Sequence, residues 1–401
     1  MSYRTHVVAG LLVALAACSA SGDALEPKPG AGGSEGDSGA PVADAGSPDD
    51  ASPDVDLDAA RPLECGDAGF CETRLPRSDF GVPLSLRSVW VVGSNDVWSV
   101  TVEGFVLHYD GAQWTIVHRV NHELYAVWAT PTSVWVGGEG GLLFHRTAAG
   151  DWSRVEAGHL SPIRAIYGTG DDDVWFTRDG SAVDHFDGSS VTDYPIDVPG
   201  LRVTTVFGRP GFGTYAAGHV AGTLPGSGIM PDQPYVFELS TSKISIFNTS
   251  LTTKTGFVPL SGAVTDSADE SQRLFVAGYE HRRSIFGSVV TEFFNFSYCS
   301  LGSSNMAVIQ QPYDPGWLNR TAPYDPPPQV MASKFPMLVF NSADIRLPLK
   351  FGQVARWDGS ALAIESLSMG KLPPANIFGA HSHATDAWIV GDGFALKGAT
   401  P

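Results

Sequence analysis

The sequence predicts an all-β protein assembled from one repeated four-stranded unit, on three observations. Only 17% of its 401 residues are charged, while it carries 45 Gly and 10 Trp; soluble domains average about 25% charged residues, and long helices draw heavily on Glu, Lys and Arg. One pattern restarts at Leu86, Leu124 and Ile163, 38 and then 39 residues apart. A large aromatic returns at one place in each copy. Four short strands with their turns occupy about 40 to 50 residues in a propeller blade, so the expected fold is a β-propeller. Seven blades are expected; six or eight would also accommodate the insertions that stretch the fourth to sixth copies.

The chain opens with an address. Arg4 precedes an apolar run from Val7 to Ala17, the length of a signal-peptide core and short of the roughly 20 residues that span a membrane. The run ends Leu15-Ala16-Ala17-Cys18, which resembles a bacterial lipobox. That resemblance implies removal of residues 1–17, lipidation of Cys18 and attachment to a membrane, with Ser19 favouring the outer one. Several acyl chains on one residue make a stable anchor, each buried CH₂ contributing about 0.8 kcal/mol. An ordinary secretory signal cut after a small residue is the alternative.

Residues 18–61 form an acidic tether. Between 19 and 60 there is no aromatic residue, and ten acidic side chains face Lys28 alone. With five prolines, the stretch buries too little apolar surface to offset its ordering entropy, so it is expected to be disordered. A Ca²⁺ loop in the run Asp49, Asp50, Asp54, Asp56, Asp58 lacks the Gly turn and closing Glu of an EF-hand. The net charge of -18 argues against nucleic-acid binding, which needs clustered Lys and Arg.

Residues 62–401 are the propeller. The first copy reads L-R-S-V-W-V-V-G-S-N-D-V-W, then H-Y-D-G-A-Q-W; the second, L-Y-A-V-W with S-V-W; the third, I-R-A-I-Y with D-V-W, then H-F-D-G. A first strand ends near Gly, Asp96 or Asp173 is expected to turn the chain by bonding nearby backbone, and an aromatic marks the second strand. Asp-Gly closes the third strand in a tight turn, and Trp114 or Trp152 opens the fourth. Weaker copies start near Val203, Leu260, the M-L-V-F-N-S segment and Ile377. Trp98, Trp135, Trp175, Tyr215, Phe275, Phe340 and Trp388 then fall in one column, expected to pack blade against blade. The last copy stops three strands in, so residues 70–76 are expected to pair with 393–399 and close the ring.

The pattern D-V-W followed by H-[YF]-D-G-x-x-W resembles exported bacterial lipoprotein propellers with Asp-box-like repeats. The resemblance extends over about residues 62–401 and is clearest in the first three copies. Such proteins often carry a short Cys pair before the first blade, and Cys65 and Cys71 occupy that place, enclosing G-D-A-G-F; a local disulfide is expected. Cys299 is left over and reads as a buried, inert thiol. Fold resemblance says little about ligand.

Candidate chemistry is sparse. His108, His145 and His185 are equivalent under the repeat, which marks a structural role. His381 and His383, read as lying in a loop, could pair with Asp386 on a metal, yet two His at that spacing are undemanding. Asp-box propellers include sialidases, but Arg164, Arg178, Arg202, Arg282, Arg283 and Arg320 match no copy of that arginine cluster. No catalytic residue, metal or cofactor is expected. Insertions at 221–234 and 300–335 are more informative: the second holds P-Y-D-P twice around Trp317, and exposed aromatics on Pro-rich loops build binding surfaces. Tyr313, Trp317 and Tyr324 are therefore candidate contacts, with a loop packed over the ring as the alternative. The expected function is a monomeric, lipid-anchored cell-envelope module that binds an envelope protein or serves as scaffold; a lectin-like or glycoside-hydrolysing surface protein is the second reading.

Overall fold

The computed structural model describes residues 63–66, 69–221, 233–248, 258–265, 273–283, 290–300, 307–313, 336–348, 353–367 and 376–399. All lie within the compact unit Arg61–Pro401; the apolar leader, Cys18 and the acidic tether lie outside the described residues.

The fold is an all-β propeller of seven four-stranded antiparallel sheets. A short strand, β1 (Phe70–Thr73), precedes the first full sheet, blade one, which runs β2 (Leu86–Gly93), β3 (Asp96–Thr101), β4 (Phe105–Tyr109) and β5 (Trp114–Arg119). Blade two is β6 (Leu124–Thr130), β7 (Ser133–Gly138), β8 (Leu143–Arg146) and β9 (Trp152–Arg154); blade three is β10 (Ile166–Gly170), β11 (Asp173–Thr177), β12 (Ala182–Phe186) and β13 (Val191–Pro195). Blade four is β14 (Leu201–Arg209), β15 (Gly213–Val220), β16 (Gln233–Leu239) and β17 (Ser245–Asn248). Blade five has β18 (Val258–Thr265), β19 (Arg273–Arg283), β20 (Val290–Ser300) and β21 (Ala307–Tyr313). Blade six has β22 (Leu338–Asn341), β23 (Asp344–Pro348), β24 (Gln353–Trp357) and β25 (Leu362–Ser366), and blade seven β26 (Ile377–His383), β27 (Asp386–Gly391) and β28 (Phe394–Ala399). The first strands of successive blades touch in an unbroken circle that ends with β26 against β2.

The ring closes as the truncated last copy requires. β1 pairs antiparallel with β28, in the register Phe70↔Gly398 to Thr73↔Ala395, and becomes the fourth strand of blade seven. The pairing covers the edge of β28, which would otherwise offer unpaired backbone groups. A disulfide joins Cys65, ahead of the strand, to Cys71, its second residue.

The core is a set of wedges between blades rather than one central mass. Trp388 of blade seven meets Trp114 of blade one with ring centroids 5.1 Å apart, Trp135 of blade two meets Phe186 of blade three at 4.9 Å, and Phe275 of blade five shares a cluster with Trp357 of blade six. A Trp of this kind buries about 200 Å², on the order of 5 kcal/mol of transfer free energy before entropic costs.

Phe340 does not belong to this column. It lies in β22, the innermost strand of its blade, and the second-strand position is held by Arg346, opposite Arg356. The aromatic signal is missing there because a buried Arg takes the position: its guanidinium lies 5.1 Å from the centre of the Phe340 ring and is paired with Asp344, Nε–Oδ1 3.1 Å and Nη2–Oδ2 3.0 Å.

The aspartates opening the second strands also act otherwise than expected. Asp96 Oδ1 accepts from Trp98 Nε1 (2.7 Å) and faces His108 Nε2 (3.0 Å); Asp173 does the same for Trp175 (3.0 Å) and His185 (2.8 Å). They organise side chains rather than the turn backbone. Backbone capping falls to the Asp-Gly turns, where Asp110, Asp187 and Asp358 each accept two backbone N–H groups, and the glycines that follow sit at φ of 98°, 91° and 94°, a region that only Gly enters freely.

Both insertions are partly sheet. Gln233 and Pro234 begin β16, and residues 307–313 form β21, the fourth strand of blade five.

Candidate functional site

The seven innermost strands surround a central cavity of about 800 Å³. Alternation along each strand sends successive side chains to the two faces of its blade. Register sets one row of lining residues against the second strands: Trp90 lies opposite Trp98, Trp128 opposite Trp135, Tyr167 opposite Trp175, Phe207 opposite Tyr215, and His381 opposite Trp388. In blade five the same row holds Ala263, opposite Phe275. Blades one to four thus present aromatic rings, and blade five presents a methyl group.

The rings are fitted by glycine. A Cβ at Gly168 would lie 2.8 Å from the Trp128 indole, one at Gly208 2.7 Å from the Tyr167 ring, and one at Gly262 2.2 Å from the Phe207 ring. Each ring therefore leans on the bare backbone of the next inner strand. Trp90 joins the arc together: it meets Trp128 and Tyr167 edge-on at 6.4 and 6.5 Å and stacks on His381 at 3.9 Å. His381 Nδ1 accepts the Val91 N–H at 3.0 Å, tying blade seven to blade one.

Beside the rings the wall holds polar side chains, among them Thr205, Ser261, Thr265, Asn341 and Arg209. Tyr167 is only 5% exposed, and its hydroxyl has no hydrogen-bond partner. Burial first, and then the nearby Asp173 charge, push its pKa well above the ordinary tyrosine value, with Arg209 acting in the opposite direction. The hydroxyl stays protonated and is a donor. Arg209, at the end of β14, also lines the cavity, its guanidinium 5.4 Å from the centre of the Phe212 ring. Among the described lining residues there is no Asp or Glu.

The expected site residues are dispersed. Tyr313 ends β21, opposite Glu292; Trp317, Tyr324 and Cys18 lie outside the described residues. Cys299 stands opposite Leu274 in β20. His108, His145 and His185 bond Asp96, Ser133 and Asp173, the residues that open their second strands. His381 and His383 belong to β26 and not to a loop; among the described residues no group of three His, Cys, Asp or Glu can hold a metal. A second, open cavity near Glu103, His122, Glu123 and Glu139 has its carboxylates engaged: Glu103 accepts the Ser85 N–H, and Glu123 accepts the Tyr125 hydroxyl.

Sequence reasoning passed over Trp90, Trp128, Tyr167 and Phe207, although the signal was present. Each is the large aromatic at the end of L-R-S-V-W, L-Y-A-V-W, I-R-A-I-Y and V-T-T-V-F, on the same sheet face as the second-strand aromatic directly opposite it.

No protein-family model matches the chain, and no curated protein matches it. Solved structures do. The chain is similar to YCF48 bound to D1 peptide, at 13% identity over 85% of this chain and 100% of that one with a TM-score of 0.55. It is similar to YCF48 from Cyanidioschyzon merolae, at 14% identity over 83% and 99% with a TM-score of 0.53. The WD40 β-propeller domain of Doa1 is similar at 12% identity over 84% and 96%, with a TM-score of 0.54. At these identities the likeness is one of fold.

Proposed function

We propose that this chain is an exported, lipid-anchored propeller of the cell envelope that acts as a non-catalytic binding module, and that its central cavity receives a segment of a partner protein. The cavity carries the reading. Concave, largely apolar sites with a few convergent polar groups are the usual form of ligand sites, and here four blades supply aromatic rings around about 800 Å³. A wall without carboxylates among its described residues offers no general acid and base pair of the kind that hydrolysis of a glycoside requires. One similar structure is described as bound to a peptide, which agrees with a peptide role. Export and anchoring rest on the apolar run 7–17 and on Cys18.

Aromatic rings inside a concavity also suit a sugar, so a lectin-like role is the second reading. A sugar brings many hydroxyl donors, and among the described lining residues hydroxyls and an amide, but no carboxylate, are there to accept from them.

The test uses the full-length chain with Cys18→Ser for solubility, incubated with solubilised envelope, beside the same chain carrying Ala263→Phe. The substitution places a ring at the blade-five position of the lining row. One protein recovered in near-equal amount by the first chain and lost from the second supports the reading; equal recovery by both removes the cavity from it, and recovery of polysaccharide alone replaces it with the lectin. Metabolic labelling with palmitate tests the anchor, with label expected on the wild type and absent from Cys18→Ala.

A further inference from the structure

We infer that one end of the ring lies on a phospholipid bilayer, with Leu63, Phe80, Val82 and Leu160 dipping into the boundary between headgroups and acyl chains. The inference rests on the anchored reading of Cys18 for the presence of a membrane, and three observations carry it.

The first is where apolar side chains stand exposed. The ring has two ends. At one, each first strand turns into the second and each third into the fourth; at the other, the second turns into the third and each blade passes to the next. Among the described residues, three exposed large apolar side chains, Val117, Ile246 and Ile364, belong to the outer strands β5, β17 and β25, and the remaining four to the second end. Phe80 and Val82 lie in the passage from β1 to β2. That passage meets the second-to-third turns of blades one and seven, its Ser85 and Leu84 carbonyls accepting the Val102 and Gly393 N–H groups, each at 3.0 Å. Leu160 lies in the passage from blade two to blade three, beside the turn before β8, where a Cβ at Gly141 would lie 1.9 Å from the His159 carbonyl oxygen. The turns of the opposite end instead expose Asp110, Asp171, Asp172, Asp187 and Asp358.

The second is the entry of the chain. Glu72 donates its N–H to the Glu64 carbonyl and Gly66 donates its own to the Phe70 carbonyl, both at 2.8 Å, so residues 63–66 run antiparallel beside β1. Leu63 therefore stands at the end from which β1 leaves for Phe80. The chain coming from Cys18 joins the domain on that end.

The third is how Phe80 is held. It is 92% exposed, yet its turn is stapled. Gly81 N–H bonds the Ser78 carbonyl at 2.9 Å, Ser78 N–H bonds the Val82 carbonyl at 3.0 Å, and Asp79 accepts from both Nη groups of Arg119 at 2.6 and 3.2 Å. A ring presented in this way gains free energy only by leaving water against something outside the fold.

The spacing of the tips identifies the occupant. Between the passages that hold Phe80 and Leu160 lies the passage from blade one to blade two, with the open cavity of Glu103, Glu123 and Glu139. A protein partner is recognised by a contiguous apolar patch. Separate apolar tips with carboxylates between them suit a fluid surface, into which each tip sinks by itself while the charges stay at headgroup level.

Residues 19–401 lack the apolar leader and contain the whole compact unit Arg61–Pro401; they are to be floated with vesicles of phosphatidylcholine alone and of phosphatidylcholine with phosphatidylglycerol in equal parts. Flotation with phosphatidylcholine is expected at low and high salt. Phe80→Ser with Leu160→Ser is expected to weaken it about tenfold with Tm unchanged, because both side chains lie outside the core, and Ile246→Ser with Ile364→Ser to leave it unchanged. Equal effects of the two pairs overturn this end as the docking face. Flotation that needs phosphatidylglycerol and vanishes in high salt overturns apolar insertion, and absence of flotation overturns the inference. Self-association lost in Phe80→Ser while flotation persists assigns the turn to a second copy of the chain and overturns its lipid contact. Palmitate labelling of the whole chain decides the anchor separately: residues 19–401 that float, from a chain that takes no label, keep the docking face and remove the anchor, and a labelled chain whose residues 19–401 do not float does the reverse.

Discussion

Tyr109 of the first blade and Trp388 of the last stand edge to face, their ring centroids 4.8 Å apart at 62°. Trp388 is fully buried, and Lys397 lies over both rings, at 5.3 and 5.8 Å. The seam where the two ends of the domain meet is thus packed by the same kind of aromatic wedge that separates other blades, with a cation added.

Trp388→Ala is expected to be the costliest truncation at the seam, about 3–5 kcal/mol, the range for a large aromatic removed from a core. Urea unfolding followed by far-UV circular dichroism measures it; a loss under 1 kcal/mol would mean that the seam does not bear on stability.

The closing strand leads to two outcomes of different size. A chain beginning at residue 80 lacks β1 and leaves β28 as an open edge, so it should lose cooperative thermal unfolding or aggregate; melting like the full domain would refute closure. Cys65→Ser with Cys71→Ser keeps β1 and opens a loop of sequence separation 6, for which chain entropy predicts a loss of about 2 kcal/mol.

Acid should weaken the Asp-Gly turns. The Ser190 N–H, followed by the Ser189 hydroxyl and N–H, holds the Asp187 carboxyl down to about 2, and paired backbone N–H groups lower Asp110 and Asp358 in the same way. A carboxyl depressed in the folded state adds stability above its unfolded pKa near 4 and loses it as pH falls through the folded value. Tm should therefore drop between about pH 4 and pH 2, and Asp187→Ala should lower Tm at pH 7 while making that drop shallower. An acid limb of unchanged steepness would count against the turn.

Blade six allows a swap. Asp344 holds Arg346 and Arg356 where Asp96 holds Trp98 and His108. Asp344→Ala strands an Arg that is only 7% exposed and should cost about 3 kcal/mol or more. Arg346→Trp with Arg356→His restores the set used in blades one and three and should keep Tm near that of the wild type. Equal losses from both would show that the position tolerates only the ionic arrangement.

Much of the ring was legible because its repeat is chemical as well as periodic. Trp98, Trp135 and Trp175 mark second strands, Asp-Gly marks the third turn, and the missing last strand demanded a donor that Phe70–Thr73 supplies. Legibility failed where a different residue holds the same position: Arg346 is buried there and bonds the strand-opening Asp344 as Trp98 bonds Asp96, yet carries no aromatic signal, so Phe340, a residue of the neighbouring strand, took its place in the column. Blade five was obscured by strand length, since β19 and β20 run 11 residues each and break the 38-residue step. The cavity was harder still. Trp90 and Trp98 lie opposite each other in one hairpin, and a period of two along each strand says that their neighbours alternate faces without saying which residues line the cavity; only closure of seven blades decides that.

The short loop before β1 has a mechanical meaning. A pull on the chain from its N-terminal side enters the domain at Glu64 and Cys65, and the bond from Cys65 to Cys71 carries it past the five residues between. The load then arrives at the second residue of β1, opposite Lys397, inside the ladder that locks the ring. The domain is gripped by its clasp: tension short of the unfolding force is spread over the β1–β28 hydrogen bonds instead of peeling the loop residue by residue, and the step that releases the clasp also opens the ring.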